Sequence, residues 1–143
     1  MNFLNCKCSE TWNDCAKLIL RVVLGIVLFM HGYQKIFQIG VSNVADGLFG
    51  QMLSWPMPSL WAYLVSYGEL ISGALLIVGL LTHWAGKAGV IIAAVALFSV
   101  HIKNGFFLQT GGYEYILLIL ASSIAVMVQG AGKYSVDQML KDK

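Results

Sequence analysis

The sequence predicts an all-α integral membrane protein: a four-helix bundle with both termini cytoplasmic and a short interfacial helix between spans one and two. Three observations carry that prediction. Of the 143 residues, 58% are hydrophobic and 11% charged, whereas a water-soluble domain carries about 45–50% apolar and about 25% charged residues. The mean hydropathy is +0.74. Four apolar runs approach the roughly 20 residues that carry a helix across the hydrocarbon core, and they lack the alternation of a membrane barrel strand. A chain of this length is one domain, residues 1–143.

The elements follow in order. Residues 1–15 are polar and hold all three cysteines, Cys6, Cys8 and Cys15. They contain no apolar signal-peptide core, so the first span, residues 16–37, is expected to be retained. The cysteines are expected to stay reduced on the cytoplasmic side; none falls in a span, which excludes a thiol–disulfide relay inside the bundle. Val41, Val44, Ala45, Leu48, Phe49, Met52 and Leu53 then recur at helical spacing. They predict a helix lying in the interface plane or packed on the bundle. Trp55, Trp61 and Tyr63 follow as an aromatic belt. The second span is expected at 60–81, the third at 84–102 and the fourth at 113–128. Pro56 and Pro58, Thr82-His83, and Gly111-Gly112 mark the breaks. Gly68 and Ser72, and Ala85, Gly89 and Ala93, repeat at the spacing of small residues that let membrane helices approach closely. In the tail, residues 129–143, Ser135 and Gln138 fit the N-cap and N3 positions of a capping box.

Basic residues set the expected orientation. With four crossings, Lys7, Lys17, Arg21, Lys87, Lys133, Lys141 and Lys143 fall on one side and only Lys35 and Lys103 on the other. That asymmetry puts the termini in the cytoplasm. Arg21 and Lys87, near the cytoplasmic ends, are expected to snorkel. A pI near 8.5 is too mild for a nucleic-acid partner. The motifs of nucleotide-binding loops and serine-hydrolase elbows are missing.

The remaining ionisable residues share one depth. At about 1.5 Å rise per residue, His31 lies roughly 9 Å inside the outer end of span one, with Lys35 one turn on and on the same face. Glu69 lies about 12 Å inside the outer end of span two by the same rise. His101 and Lys103 close span three, and Glu114 opens span four. Ionisable groups inside spans are costly and usually face the bundle interior. Three readings stay open for this layer. Buried ion pairs, such as Glu69 with Lys35, could hold spans in register. His31, Lys35, Glu69, His101 and Glu114 could instead form a ligand or proton-exchange pocket, since a buried carboxyl near a histidine suits proton-coupled chemistry. A metal bound by His31, Glu69, His101 and Glu114 is the third, but no local pair of ligands fixes it and no metal is assigned.

These residues resemble the DoxX family of small bacterial membrane proteins from about Leu20 to Asp137. The likeness rests on Leu20-Arg21, Leu24-Gly25 and His31-Gly32-Tyr33-Gln34-Lys35 in span one. Span two adds Gly68-Glu69, Gly73, Gly79 and Leu81-Thr82. Val100-His101, Gly105-Phe106-Phe107 and Gly112-Tyr113-Glu114-Tyr115 follow, then Gly130, Gly132, Ser135 and Asp137. The resemblance implies a multi-pass protein of the bacterial inner membrane and a four-helix bundle, and it makes the five polar residues above motif positions. Family relatives include a subunit of a thiosulfate–quinone oxidoreductase. Two functions are therefore expected as alternatives. One is a redox-linked component, a subunit of a quinone-linked oxidoreductase with a quinone-like ligand in the outer half of the bundle. The other is a non-enzymatic membrane anchor or assembly subunit of a larger complex. The expected partners are the lipid bilayer, a protein partner in a membrane redox complex and a second copy of the chain, with no nucleic acid.

Overall fold

A computed structural model describes residues 10–142; Cys6, Lys7, Cys8 and Lys143 lie outside the described residues. The described residues are largely helical, with no β-strand among them. Helix α1 covers Glu10–Tyr33 and widens into a π-helical stretch, Gln34–Ile39. Helix α2 is a single turn, Val41–Val44, continued by the π-helical Ala45–Met52. Helix α3 is Pro58–Val78. Helix α4 is Thr82–Ala96 and runs on through the π-helical Leu97–His101. After 3₁₀ turns, helix α5 covers Glu114–Gln129 and helix α6 Val136–Lys141.

Three helices, Glu10–Ile39, Pro58–Val78 and Thr82–Asn104, are long and apolar enough to cross a membrane. The fourth, α5, has 16 residues and rises about 24 Å, short of the roughly 30 Å hydrocarbon core. It lies against α4, with Gly86 close to the Met127 backbone and Gly89 to Ser123.

The helices are turned inside out relative to a water-soluble bundle. On α1 the buried stripe is Arg21, Leu24, Gly25, Leu28 and Gly32; on α3 it is Ala62, Ser66, Glu69, Ser72, Gly73 and Leu76. Both stripes follow the helical period and set small and polar residues beside Leu24, Leu28 and Leu76, while Ile19, Val23, Ile26, Leu64 and Ile71 face outward. Between lipid-facing helices the hydrophobic effect vanishes and close backbone packing takes over. Here α1 and α3 touch through glycines. A Cβ on Gly25 would lie 2.9 Å from the Gly73 carbonyl oxygen, and one on Gly32 would strike the Leu70 backbone. Ala85, Gly89 and Ala93 are buried as expected of a packing ladder. Gly68 is different: it lines an open groove between α3 and α4.

Several boundaries differ from the sequence expectation. Helix α1 starts at Glu10, so Cys15 is inside the helix rather than in a polar leader. Thr82 begins α4 instead of breaking it; the break is Gly79–Leu81, where Gly79 takes a left-handed C-cap and Leu80 N–H donates to the Leu75 carbonyl. The segment after α1 does pack on the bundle, with Val44, Ala45 and Phe49 buried against Ala62 of α3. Met52 is 57% exposed, because the wider π turns shift it off the face that a 3.6-residue period would give it.

Arg21 requires the clearest correction. It does not snorkel: it is 1% exposed, and its guanidinium donates to the Tyr134 carbonyl at 2.7 Å. It sits beneath Gly79, where any Cβ would collide with it. This contact ties the tail to the end of the bundle where α1 begins and α6 lies. Ser135 caps α6 by accepting from Gln138 N–H, and Asp137 reaches across to α4. Its carboxylate accepts the Leu81 N–H at 2.7 Å and the Thr82 N–H at 2.9 Å, while its own N–H donates to the Gly79 carbonyl. The tail thus supplies the N-cap that α4 lacks locally. Burial works to raise the Asp137 carboxyl, but these backbone donors outweigh it and hold the group below the usual carboxylate range.

Candidate functional site

At the opposite end of the bundle the polar residues gather. Glu69 is placed there by the helical period of α3, falling between Ser66 and Ser72 on the buried stripe, and it is 7% exposed. His31 and Lys35 are one turn apart at the junction where α1 widens, and His101 closes the widened end of α4. Wide π turns are uncommon and often occur at functional sites; both Lys35 and His101 sit on one.

The Lys35 ammonium donates to a Glu69 carboxylate oxygen at 2.5 Å, joining α1 to α3. On one side of this pair is a chamber of about 230 Å³ lined by Lys35, Glu69 and His101 with apolar residues of the α2 segment and α4. On the other is a chamber of about 300 Å³ lined by His31, Glu69, His101 and Tyr115 with apolar residues of α1, α4 and α5. Glu69 and His101 wall both. The His101 Nδ1 lies 2.8 Å from the Gly111 carbonyl oxygen. A carbonyl only accepts, so Nδ1 carries the proton and Nε2 is the nitrogen left for other partners.

The structure therefore brings four of the five sequence candidates together and sets Glu114 apart. That carboxylate turns to the preceding loop, where it accepts the Leu108 N–H at 3.0 Å. Counting residues along a helix gives height but not the direction a side chain takes from α5. The next residue, Tyr115, lines the chamber instead, its ring centroid 6.2 Å from that of His31. Its sequence signal is its place beside Glu114 in the segment Gly112-Tyr113-Glu114-Tyr115. The loop 105–113 closes over this end, held by Tyr113 N–H to the Gly105 carbonyl and Glu114 N–H to the Phe106 carbonyl. A Cβ on Gly112 would strike that backbone. Among the described residues no three His, Cys, Asp or Glu side chains are close enough to hold a metal ion, so the metal reading loses its ligand set.

A mostly apolar chamber with a few convergent polar groups is the usual form of a small-molecule site. These groups can donate and accept hydrogen bonds and can hold or release a proton.

Comparison with known proteins agrees with this architecture. The DoxX family model matches residues 16–102, more than half of the chain. An uncharacterized protein of Haemophilus influenzae is 29% identical over 138 residues, 96% of this chain and 91% of that protein. A Bacillus subtilis protein named "Putative oxidoreductase CatD" is 33% identical over 124 residues, 87% of this chain and 86% of that one. No solved structure matches the chain significantly. The matched stretch contains α1, α3 and α4 with His31, Lys35, Glu69 and His101, and the protein belongs to the DoxX family.

Proposed function

We propose that this protein is a redox-linked membrane component that binds a quinone-like ligand, and exchanges its proton, in the chambers around Glu69. The carrying observation is that His31, Glu69 and His101 wall one chamber whose other lining is apolar apart from the Tyr115 hydroxyl. In this reading His31 donates a hydrogen bond to a ligand oxygen, Glu69 exchanges the proton, and Lys35 and His101 set the charge around it. The name of the Bacillus subtilis relative supports redox chemistry. The site lies at the end away from the start of α1 and from α6, and the excess of basic residues at the end that holds those two supports placing the site on the non-cytoplasmic face of a bacterial inner membrane.

The alternative, a non-enzymatic membrane anchor or assembly subunit, draws on the small size of the chain and on its small-residue faces, of which the ladder Ala85, Gly89 and Ala93 is buried within the chain. The test is extraction of the detergent-purified protein for quinone, together with thermal stabilisation on adding a tail-less benzoquinone. Wild type is expected to be stabilised. His31→Leu, which breaks no ion pair, should keep its own melting temperature and lose the stabilisation. A wild-type protein that carries no quinone and gains nothing from added quinone overturns the proposal.

A further inference from the structure

The chambers around Glu69 have an apolar groove beside them. Between α3 and α4 runs an apolar groove of about 570 Å³, the walls of which include Leu64, Gly68, Ala88 and Ile91, with Trp55 and Trp61 at its outer rim. Val65, Ile92 and Val95 are walls of this groove and also of the chamber beside Lys35 and Glu69. Ile92 walls the His31 chamber as well. The polar chambers and the apolar groove thus adjoin at Val65, Ile92 and Val95.

Gly68 keeps the groove open: it stands on the small-residue ladder of α3, yet a Cβ there would meet only the tip of Ile92, at 3.3 Å. The Trp61 indole N–H donates to the Pro56 carbonyl at 3.0 Å, and the Trp55 and Trp61 rings pack edge to face, so the rim is a built edge. A second groove, between α1 and α5, adjoins the His31 chamber at Tyr115 and Ile119 but has only about 150 Å³.

Resting on the proposed function, we infer that the ligand is a lipid-borne amphiphile whose head occupies the Glu69 chambers and whose long apolar tail lies in the α3–α4 groove. An isoprenoid quinone has this form. Lipid acyl chains are as apolar as the groove wall, so the groove holds a tail by shape and packing rather than by hydrophobic transfer. Selectivity for the head then stays with the ionisable residues, and the groove sets the direction of entry from the bilayer.

The test uses the full chain in phospholipid nanodiscs and two ligands, a tail-less dimethoxy-methyl benzoquinone and the same head with a decyl tail bearing a terminal photoreactive group. The tailed ligand should bind more tightly and label residues in 64–68 and 88–95. Ala88→Phe, which fills the groove, should weaken the tailed ligand by about tenfold or more and leave the tail-less one unchanged. Labelling is done on the wild type, so it decides the matter even if the variant does not fold. Label on the α1–α5 groove, or tailed binding that Ala88→Phe leaves intact, overturns the tail assignment while the chamber reading stands. Wild type that binds neither ligand overturns both. A photoreactive phospholipid that labels the α3–α4 groove and is not displaced by the tailed quinone makes the groove a structural lipid site and also overturns the inference.

Discussion

Removing one partner of the Lys35–Glu69 pair should cost far more than removing both. The two groups are 2.5 Å apart, with side-chain exposures of 18% and 9%. At an effective dielectric of about 20, their attraction is about 7 kcal/mol. Desolvating each ion costs several kcal/mol, so the intact pair contributes close to nothing net. An orphan is different, because its desolvation is no longer offset. Lys35→Met leaves the carboxylate of Glu69 at the centre of the α3 stripe, and about 5 kcal/mol is expected. Glu69→Gln leaves an ammonium on a flexible stem that can reach the rim, so about 3 kcal/mol is expected. The double variant should lose only about 1 kcal/mol, since no charge is left unpaired. Reversible unfolding by SDS in mixed micelles, followed by tryptophan fluorescence, measures all four corners of the cycle. Single variants that each cost under about 1 kcal/mol, or a double variant equal to their sum, would refute the pairing and the low local dielectric behind it.

Other predictions concern the packing and the tail. Gly32→Ala should destabilise by about 2–3 kcal/mol, the upper part of the range for overpacking, because the obstructing atoms are Leu70 and Ser66 backbone; thermal melting in detergent reads it. Gly79→Ala, at φ +74° and against the Arg21 guanidinium, should undock the tail, seen as faster proteolysis within 133–142, and Arg21→Met should do the same. The Asp137 cap should respond to pH with the sign of a depressed carboxylate: full above the ordinary carboxylate pKa, and lost only as pH falls through the lower folded value. The amide shifts of Leu81 and Thr82 report it, and Asp137→Asn should show the undocked shifts at neutral pH.

Some of this was readable from residues and some could not be. The rise of a helix is constant, so counting residues placed His31, Lys35, Glu69 and His101 at one height. Counting gives height but not azimuth, which is why Glu114 was grouped with them although its carboxylate serves the Leu108 N–H. Spacing of small residues shows where a helix can be approached, not whether anything fills the space. Ala93 is buried among its neighbours, whereas Gly68 borders an open groove. Met52 was assigned by a 3.6-residue period that the π turns abandon. Arg21 was assigned by the usual behaviour of a basic residue near a membrane surface. Its burial depends on Tyr134, 113 residues away, and no local pattern encodes a contact of that range.

The two ends of the bundle solve the same electrostatic problem in opposite ways, and the contrast bears on function. At the end where α1 begins and α6 lies, charge goes to backbone: Arg21 to the Tyr134 carbonyl, and Asp137 to the amides of Leu81 and Thr82. Those partners cannot change protonation, so the arrangement locks the tail and serves structure. At the other end Glu69 is paired with a side chain, Lys35, and shares its chambers with two histidines. Those partners are side chains that carry N–H groups of their own. A bundle that needed only to be held together could have satisfied Glu69 through backbone as it satisfies Asp137. It places Lys35 and His101 on π-helical turns instead, which supports the proposed site.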